Sequence, residues 1–583
     1  MNNPGQITYF AETDARNKRI AFGIRAEDRT KHVYVIGKTG MGKSTMLENM
    51  AVQDIRNGNG LCFIDPHGKT ADLLLEYIPA ERKDDVLYFA PFDMEFPVSF
   101  NVMEDVGYDK RHLVVSGLMS TFKKIWVDAW SARMEYILSN TLFALLEYPD
   151  STLLSINKMF VDKEFRKKVV DNIKDATVKS FWVDEFAKFT DRYAAEATPA
   201  IQNKIGQFTS NPLVRNIIGQ PRSSFDLRKL MDDRKIVIVN LSKGRIGETN
   251  ANLLGSMLIT KIYLAAMSRA DLPESEVQKL PNFYLFVDEF QSFANESFAD
   301  ILSEARKYKL NLTMAHQYIE QMTEEVRAAV FGNVGTLISF RVGSYDAEVL
   351  EKEFAPRFTA QDMVNLGFAQ IYLRLMIDGV GSQPFSARTL PPLEKPENNN
   401  IKQILDNSRR HFGKPRDIVE EEINVLLATE EKTQISPNSS QRDTSNKKRD
   451  DLPRQNDSRQ NNRKQRRRED EKKPVIDSSK KNELLAALES QKKKIFESES
   501  SVPVEQESLS LNALRKPKEK RDAKSASTET RSELKNILNQ VLASSENNKK
   551  DDLKSEVKKE EKTKDPKEIP EDELRALLEV AES

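Results

Sequence analysis

Short apolar, β-branched runs alternate with stretches in which apolar residues recur every three to four positions. "KHVYVIG" is followed by "MLENMAVQDIRN", and "GLCFID" by "TADLLLEYI". This alternation predicts a mostly parallel sheet covered by helices. From roughly Met103 to Gln220 the strand runs stop. There "RMEYILSNTLFALLEYP" sets Met134, Ile137, Leu138, Leu142 and Leu145 on one helical face and ends before Pro149. Thr198-Pro199 opens "AIQNKIGQF" as a cap and first turn. Strand runs resume at "RKIVIVNL", "NFYLFVDEF", "LNLTMAHQ" and "GTLISFRV", and the sheet is expected to close with "AQIYLRLMIDGVG". The pattern predicts an α/β core in two parts, 1–102 and 225–395, split around an all-helical insertion at 103–224.

Composition changes the picture for the last third. Beyond Phe412 the only aromatic is Phe496, and Lys, Glu, Ser, Asp and Asn dominate. Such a chain buries too little apolar area to offset its ordering entropy, so 396–583 is expected to be mostly disordered. The whole sequence has 583 residues, more than one core accommodates. Its 89 basic and 90 acidic residues nearly cancel, so any nucleic-acid surface must be local. The single cysteine, Cys62, lies inside an apolar strand run and reads as a buried, inert thiol, which suits a cytoplasmic setting. No secretory signal pattern opens the chain, and "LLGSMLITKIYLAAM" carries Lys261 and reads as a buried core helix. Intrinsic membrane insertion is therefore not expected, and a peripheral position at the inner membrane would depend on partners.

Candidate chemistry begins with "GKTGMGKST": Gly37, Lys38, Thr39, Gly40, Met41, Gly42, Lys43, Ser44 and Thr45. This G-x-x-x-x-G-K-[ST] loop stands between a β run and an amphipathic helix, the context in which backbone N–H groups surround the phosphates of a nucleotide. Lys43 is expected on the β- and γ-phosphates and Ser44 on Mg²⁺, making ATP and Mg²⁺ the expected cofactors. "NFYLFVDEF" delivers Asp288 to a strand end as a metal-shell carboxylate, with Glu289 next to it as general base. Gln317, ending "LNLTMAHQ", is a candidate γ-phosphate sensor, the alternative being a strand-end cap. His316 reads as structural, because no Cys or second His supports a metal site. Arg306 and Arg341 are candidates for an arginine supplied to a neighbouring subunit, or are ordinary surface residues. "FIDPHGKT" poses a separate question. Asp65 and His67 are read as shaping a turn at the phosphate edge, because Asp288 and Glu289 already fill the metal and base roles.

The order "GKTGMGKST", "FIDPHG", helical insertion, "FVDEFQSF", "EARKYKL", "AHQY", "GNVGTLISFRVGSYDA" resembles the coupling ATPases of conjugation and type IV secretion, the TraD/TraG type, in the HerA/FtsK superfamily. The resemblance spans about Ile20 to Pro392. It implies a RecA-like P-loop ATPase core assembled as a homohexamer, ATP between subunits, and DNA, in one reading single-stranded, passing through the channel. It further implies secretion-machine or relaxosome proteins as partners, docking on the helical insertion or the tail. Two departures stand out. The stretch ahead of the phosphate loop is too short and polar for the membrane helices typical of coupling proteins, and too short for the β-barrel of the HerA branch.

The expected function is thus an ATP-driven DNA translocase feeding a transfer machine. The alternatives are a secretion or pilus-assembly motor acting on protein, a HerA-like DNA-processing translocase, and a nucleotide-switched recruitment scaffold. "SKGRIGETN" (Lys243, Arg245) and "ARKYK" are candidate DNA-contact loops, or plain solvated faces. In the tail, "NELLAAL", "SELKNIL" and "DELRALL" each place apolar residues at i, i+3 and i+4 after a capping residue, a pattern suited to short helical anchors or arising by chance in a Leu/Glu/Lys-rich chain.

Overall fold

Seven strands pair in parallel because each is apolar on both faces, so that only a sheet covered by helices on both sides can hide them. A computed structural model describes residues 5–14, 18–189 and 191–428. The strands are β1 (Ile7–Thr13), β2 (Ala21–Arg25), β3 (Val33–Ile36), β4 (Gly60–Asp65), β5 (Val86–Phe89), β6 (Ile236–Asn240), β7 (Phe283–Val287), β8 (Leu310–His316), β9 (Thr336–Ser339), β10 (Gln370–Arg374) and β13 (Phe385–Thr389). They form one sheet in the order β2-β1-β13-β10-β9-β3-β8-β7-β4-β6-β5. Met376–Ile377 (β11) and Val380–Gly381 (β12) make a separate small ribbon. Every residue of β3, β4, β6, β7, β8 and β9 is buried.

Strand alternation sorts these side chains between two cores. Val33, Val35, Leu61, Phe63, Tyr284 and Phe286 face the first helices after the phosphate loop, α1 (Lys43–Arg56) and α2 (Lys69–Glu76). Tyr34, Ile36, Cys62, Ile64, Leu285 and Val287 face the opposite side. That second core runs without a break into α3 (Arg111–Ile125) and α4 (Ala132–Glu147), through Leu118, Phe122, Leu138 and Leu142. The segment 103–224 contains no strand among its described residues. Its apolar faces are nevertheless continuous with the sheet's core, so it packs as part of one body rather than around a core of its own. The helix Glu248–Met267 is long and apolar enough to cross a membrane, yet 72% of its most apolar window is buried, much of it in that same core. Cys62 is fully buried, which pushes its thiol pKa up.

Four features differ from expectation. Thr198-Pro199 does not open a helix but lies inside one, Asp191–Thr209. The sheet does not close at β10: β13 pairs antiparallel with it, and the hairpin β1–β2 adds beyond, with Ala11 opposite Thr389. The residues ahead of the phosphate loop are therefore edge strands, whose half-buried pattern lacks the all-apolar run of the central ones. The charged region expected to be mostly disordered from 396 instead opens with two helices, Ile401–Phe412 and Arg416–Leu427. Ser408 Oγ accepts from the Tyr88 N–H of the last strand at 2.9 Å, and Val419 and Ile423 pack on Leu154. The spacing Ile401, Ile404, Leu405, Ser408, Phe412 is helical, and the surrounding charge masked it. The three tail motifs lie outside the described residues.

Arg29 ties these layers together. It precedes β3, forms two 2.9 Å bonds to Asp54 of α1, donates to Thr8 Oγ1 of β1 and stacks on the Tyr284 ring at 3.8 Å. Both partners of the ion pair are at most 1% exposed. Arg29→Met leaves the Asp54 carboxylate buried without its cation, so unfolding free energy is expected to fall by about 3–5 kcal/mol. Denaturant titration checks this; a loss under about 1 kcal/mol would contradict the central role given to the pair.

Candidate nucleotide site

Four adjacent parallel strands, β3, β8, β7 and β4, end at the same edge because their registers align: Ile36 pairs with His316, Val287 with Met314 and Ile64 with Val287. The loops leaving them carry all the candidate nucleotide chemistry except the two arginines. Successive strands are spaced by about 4.8 Å, so the four ends span roughly 15 Å.

The phosphate loop is stapled between the neighbours of β3. The Gly37 N–H donates to His316 O at 3.2 Å and the Lys38 N–H to Arg341 O at 2.8 Å. A β-carbon on Gly37 would lie 2.5 Å from Phe340 Cβ, which explains the glycine. Lys38, Thr39, Gly40 and Met41 form the turn, Gly42 caps α1, and Lys43, Ser44 and Thr45 make its first turn. The Lys43 ammonium folds onto the loop, donating to Gly37 O at 2.6 Å and Lys38 O at 3.2 Å. Burial lowers its pKa, against the pull of Glu289 and Asp288. The loop thus satisfies Lys43 with backbone oxygens that phosphate oxygens would replace.

Ser44 Oγ donates to Asp288 Oδ2 at 3.1 Å, so the hydroxyl and carboxylate already meet. Among the described residues no cluster of three His, Cys, Asp or Glu forms a closed metal cage. One hydroxyl and one carboxylate beside a phosphate loop fit Mg²⁺, which keeps waters and shares substrate oxygens rather than filling an all-protein site. Burial, Glu289 and Asp65 raise Asp288 to about 6, against the Glu289 N–H and the Ser44 hydroxyl.

Glu289 has left-handed backbone angles, φ 49° and ψ 51°. Its Oε1 accepts from Gln317 Nε2 and its Oε2 from Gln291 Nε2, while His67 Nε2 stands 3.7 Å away. Burial opposes its ionisation, but His67, Gln317, Gln291 and the Lys43 charge outweigh it and hold Glu289 at about 2. Gln317 also accepts from Thr39 Oγ1 at 2.9 Å, so it bridges the phosphate loop and the carboxylate. His316 is a core residue: its Nδ1 is 2.7 Å from Tyr34 OH, and burial drives it to about 3.

"FIDPHG" is a turn with a second duty. Asp65 Oδ1 accepts from the His67 N–H at 2.7 Å and Oδ2 from the Ala71 N–H at 2.9 Å, so this carboxylate caps the start of α2. Gly68, at φ 86°, would place a β-carbon 2.6 Å from Asn240 Oδ1. The turn presents His67 to Glu289, whose contact raises the imidazole pKa against partial burial.

The two arginines part company. Arg341 ends β9 beside the phosphate loop. Arg306 precedes β8, at the opposite end of the strands; its charge adds to the burial that lowers His32, just before β3, to about 4. Arg306 is not brought to its own subunit's loop. Lys243 and Arg245 are engaged within the chain: Lys243 Nζ donates to Glu248 at 2.8 Å and Ser292 Oγ at 3.0 Å, and Arg245 lies over the Phe92 ring at 3.3 Å. Lys243, with Lys124 of α3, His67, Gln291 and Gln317, lines a cavity of about 390 Å³ that opens onto Glu289. Lys124 gave no sequence signal, because α3 meets this edge only through the fold; Gln291 was signalled only by standing two residues beyond Glu289.

A family model described as type IV secretion-system coupling protein DNA-binding domain matches residues 19–354. No curated protein sequence matches. Among solved structures, the plasmid coupling protein TrwB in complex with the non-hydrolysable GTP analogue GDPNP is similar with a TM-score of 0.50 at 15% identity, over 69% of this chain and 92% of that one. VirB4 of Thermoanaerobacter pseudethanolicus is similar with a TM-score of 0.45 at 13% identity, over 67% and 98%. At 15% identity the likeness to the TrwB structure is one of fold.

Asp288 supplies a stability test. Its folded-state pKa of about 6 lies above the ordinary carboxylate value, so the folded state holds the proton more tightly than the unfolded state. Ionisation therefore costs stability, by up to about 3 kcal/mol, an effect absent below about pH 4 and complete above about pH 6. Asp288→Asn is expected to raise the thermal midpoint at pH 7.5 in Mg²⁺-free buffer and to leave it unchanged at pH 4. The same midpoint as wild type at both pH values would contradict the burial argument.

Proposed function

Since the chain belongs to the type IV secretion-system coupling protein family, by the match over residues 19–354, we propose that it is a Mg²⁺-dependent ATPase that moves DNA, or a DNA–protein substrate, toward a transfer machine. The observation that carries the hydrolytic half is Gln317, hydrogen-bonded at once to Thr39 of the phosphate loop and to Glu289. A scaffold needing only nucleotide-dependent assembly has no use for a base linked to a sensor in this way.

In this reading Lys43 exchanges its loop carbonyls for the β- and γ-phosphates, while Ser44 and Asp288 hold Mg²⁺. When bound there, Mg²⁺ would supply positive charge against the phosphate oxygens. Glu289 orients the attacking water; fully ionised but weakly basic in the arrangement seen here, it gains basicity when phosphate contacts draw Gln317 away. Gln317 thereby reports occupancy of the γ-position to the carboxylate. Arg306, at the far end of the sheet from its own loop, is suited to a neighbour's site in a homohexamer, whereas Arg341, whose carbonyl accepts from the Lys38 N–H, lies beside its own loop. This reading does not assign Lys243 and Arg245 to DNA, because their side chains are engaged within the chain. A cytoplasmic position at the inner membrane, with secretion-machine proteins as partners, completes the proposal.

ATP hydrolysis measured with and without single- and double-stranded DNA tests the DNA half. Stimulation with steep salt dependence is expected; hydrolysis indifferent to both DNAs would favour a motor acting on protein. Glu289→Gln should lower kcat by about 10²-fold or more with nucleotide binding retained. For the arginine, mixing Lys43→Ala and Arg306→Ala subunits should restore activity that neither has alone, because some interfaces then pair an intact loop with an intact Arg306. No recovery on mixing would remove the trans assignment.

A further inference from the structure

We infer that Lys124, on helix α3 of the strand-free segment, is a positioning residue for Glu289, acting through the loop that follows the carboxylate. The inference rests on the proposed reading of Glu289 as the residue that orients the attacking water. It starts from the backbone. Glu289 is held at φ 49° and ψ 51°, a conformation that its β-carbon disfavours and that persists only where the surroundings impose it.

Those surroundings include α3, beside Lys243 on Ser292 and Ser256 on Phe293 O. Lys124 Nζ donates to Gln291 O at 2.6 Å and also to Ala294 O. One turn earlier on the same helix, Thr121 Oγ1 accepts from Asn295 Nδ2 at 3.2 Å. The segment 290–292 is a single 3-10 turn whose Phe290 O is taken by the N–H groups of Phe293 and Ala294, while the carbonyls of Gln291 and Ala294 are collected by the Lys124 side chain, whose amine carries several donors. Gln291, whose carbonyl Lys124 holds, turns its side-chain amide back onto Glu289 Oε2. The path from α3 to the carboxylate is therefore continuous: ammonium, backbone of Gln291, side chain of Gln291, Glu289.

The helix itself has little freedom to adjust. A β-carbon on Gly117 of α3 would lie 2.4 Å from Thr260 Cγ2 on the helix Glu248–Met267, so the Thr260 side chain fills the space at this glycine and the two helices pack without a gap there. A shift of α3 is thus transmitted to the loop 290–295 instead of being absorbed at its packing face, and the strand-free segment and the hydrolytic carboxylate move as one unit.

The test compares Lys124→Met, Gln291→Met and their combination in the full chain. Lys124→Met is expected to lower kcat for ATP at least tenfold while KM and the Kd of a fluorescent ATP analogue stay within twofold. Gln291→Met should reproduce this loss, and the double variant should be no slower than the slower single, because both cut one path. Added to Glu289→Gln, Lys124→Met should change the residual rate less than twofold. An unchanged kcat, an equal loss in nucleotide affinity, or a further large drop in the Glu289→Gln background would overturn the inference in favour of a lysine that merely braces the fold. If Lys124→Met does not fold, Gln291→Met decides: wild-type kcat overturns the inference, a tenfold loss at constant KM supports it. A wild-type chain that hydrolyses no ATP removes the proposed function and the inference together. An active wild type with a normal Lys124→Met removes the inference alone.

Discussion

The insertion of β8 between β3 and β7, all three parallel and in step, is the constraint on which the site depends. Parallel pairing makes the strands end at one edge, and complete burial of their apolar side chains fixes the register, because a one-residue slip would turn each side chain to the wrong core. Gly37, Asp288 and Gln317 are consequently neighbours although up to 280 positions separate them along the chain. The flanking antiparallel strands and the Arg29–Asp54 pair stabilise that sheet, and Ala369, just before β10, donates its N–H to Met41 O of the phosphate loop at 3.3 Å.

Burial at this edge sets two adjacent carboxylates against each other. Asp288 has few donors and is raised to about 6. Glu289 is surrounded by donors and is held at about 2. Such a separation is the usual mark of groups with different duties, one awaiting a cation and one remaining ionised. It also costs stability at neutral pH, since an ionised Asp288 is penalised by its burial.

Lys124, Thr121 and Lys243 give the strand-free segment and the loop after β6 a hold on the turn beyond Glu289. This arrangement explains why the helices share a core with one face of the sheet. A separately cored insertion would have no rigid route to the carboxylate, whereas a continuous core passes a displacement directly to it.

Local sequence determined the elements whose reasons are local. The phosphate loop, the all-apolar strands and the carboxylates that end them follow from glycine sterics, strand periodicity and the need to bring charge to a strand end. The assignment of "FIDPHG" as a turn also stands, with Asp65 bonded to nearby N–H groups and Gly68 at positive φ. Only the tertiary structure decided what depends on residues distant in the chain. It brought His67 to Glu289, drew Lys243 from a candidate DNA-contact loop into the site's cavity, placed Arg306 at the far edge and made Lys124 a neighbour of the loop after Glu289. It also recruited the first strands and the helices 401–427, whose apolar positions are too few to stand out among charges until a sheet edge or Leu154 is there to receive them. The physical division is one of range: backbone sterics and periodicity act over a few residues and are written in the sequence, whereas the pairing of charges and donors is settled only when the fold brings them within hydrogen-bond distance.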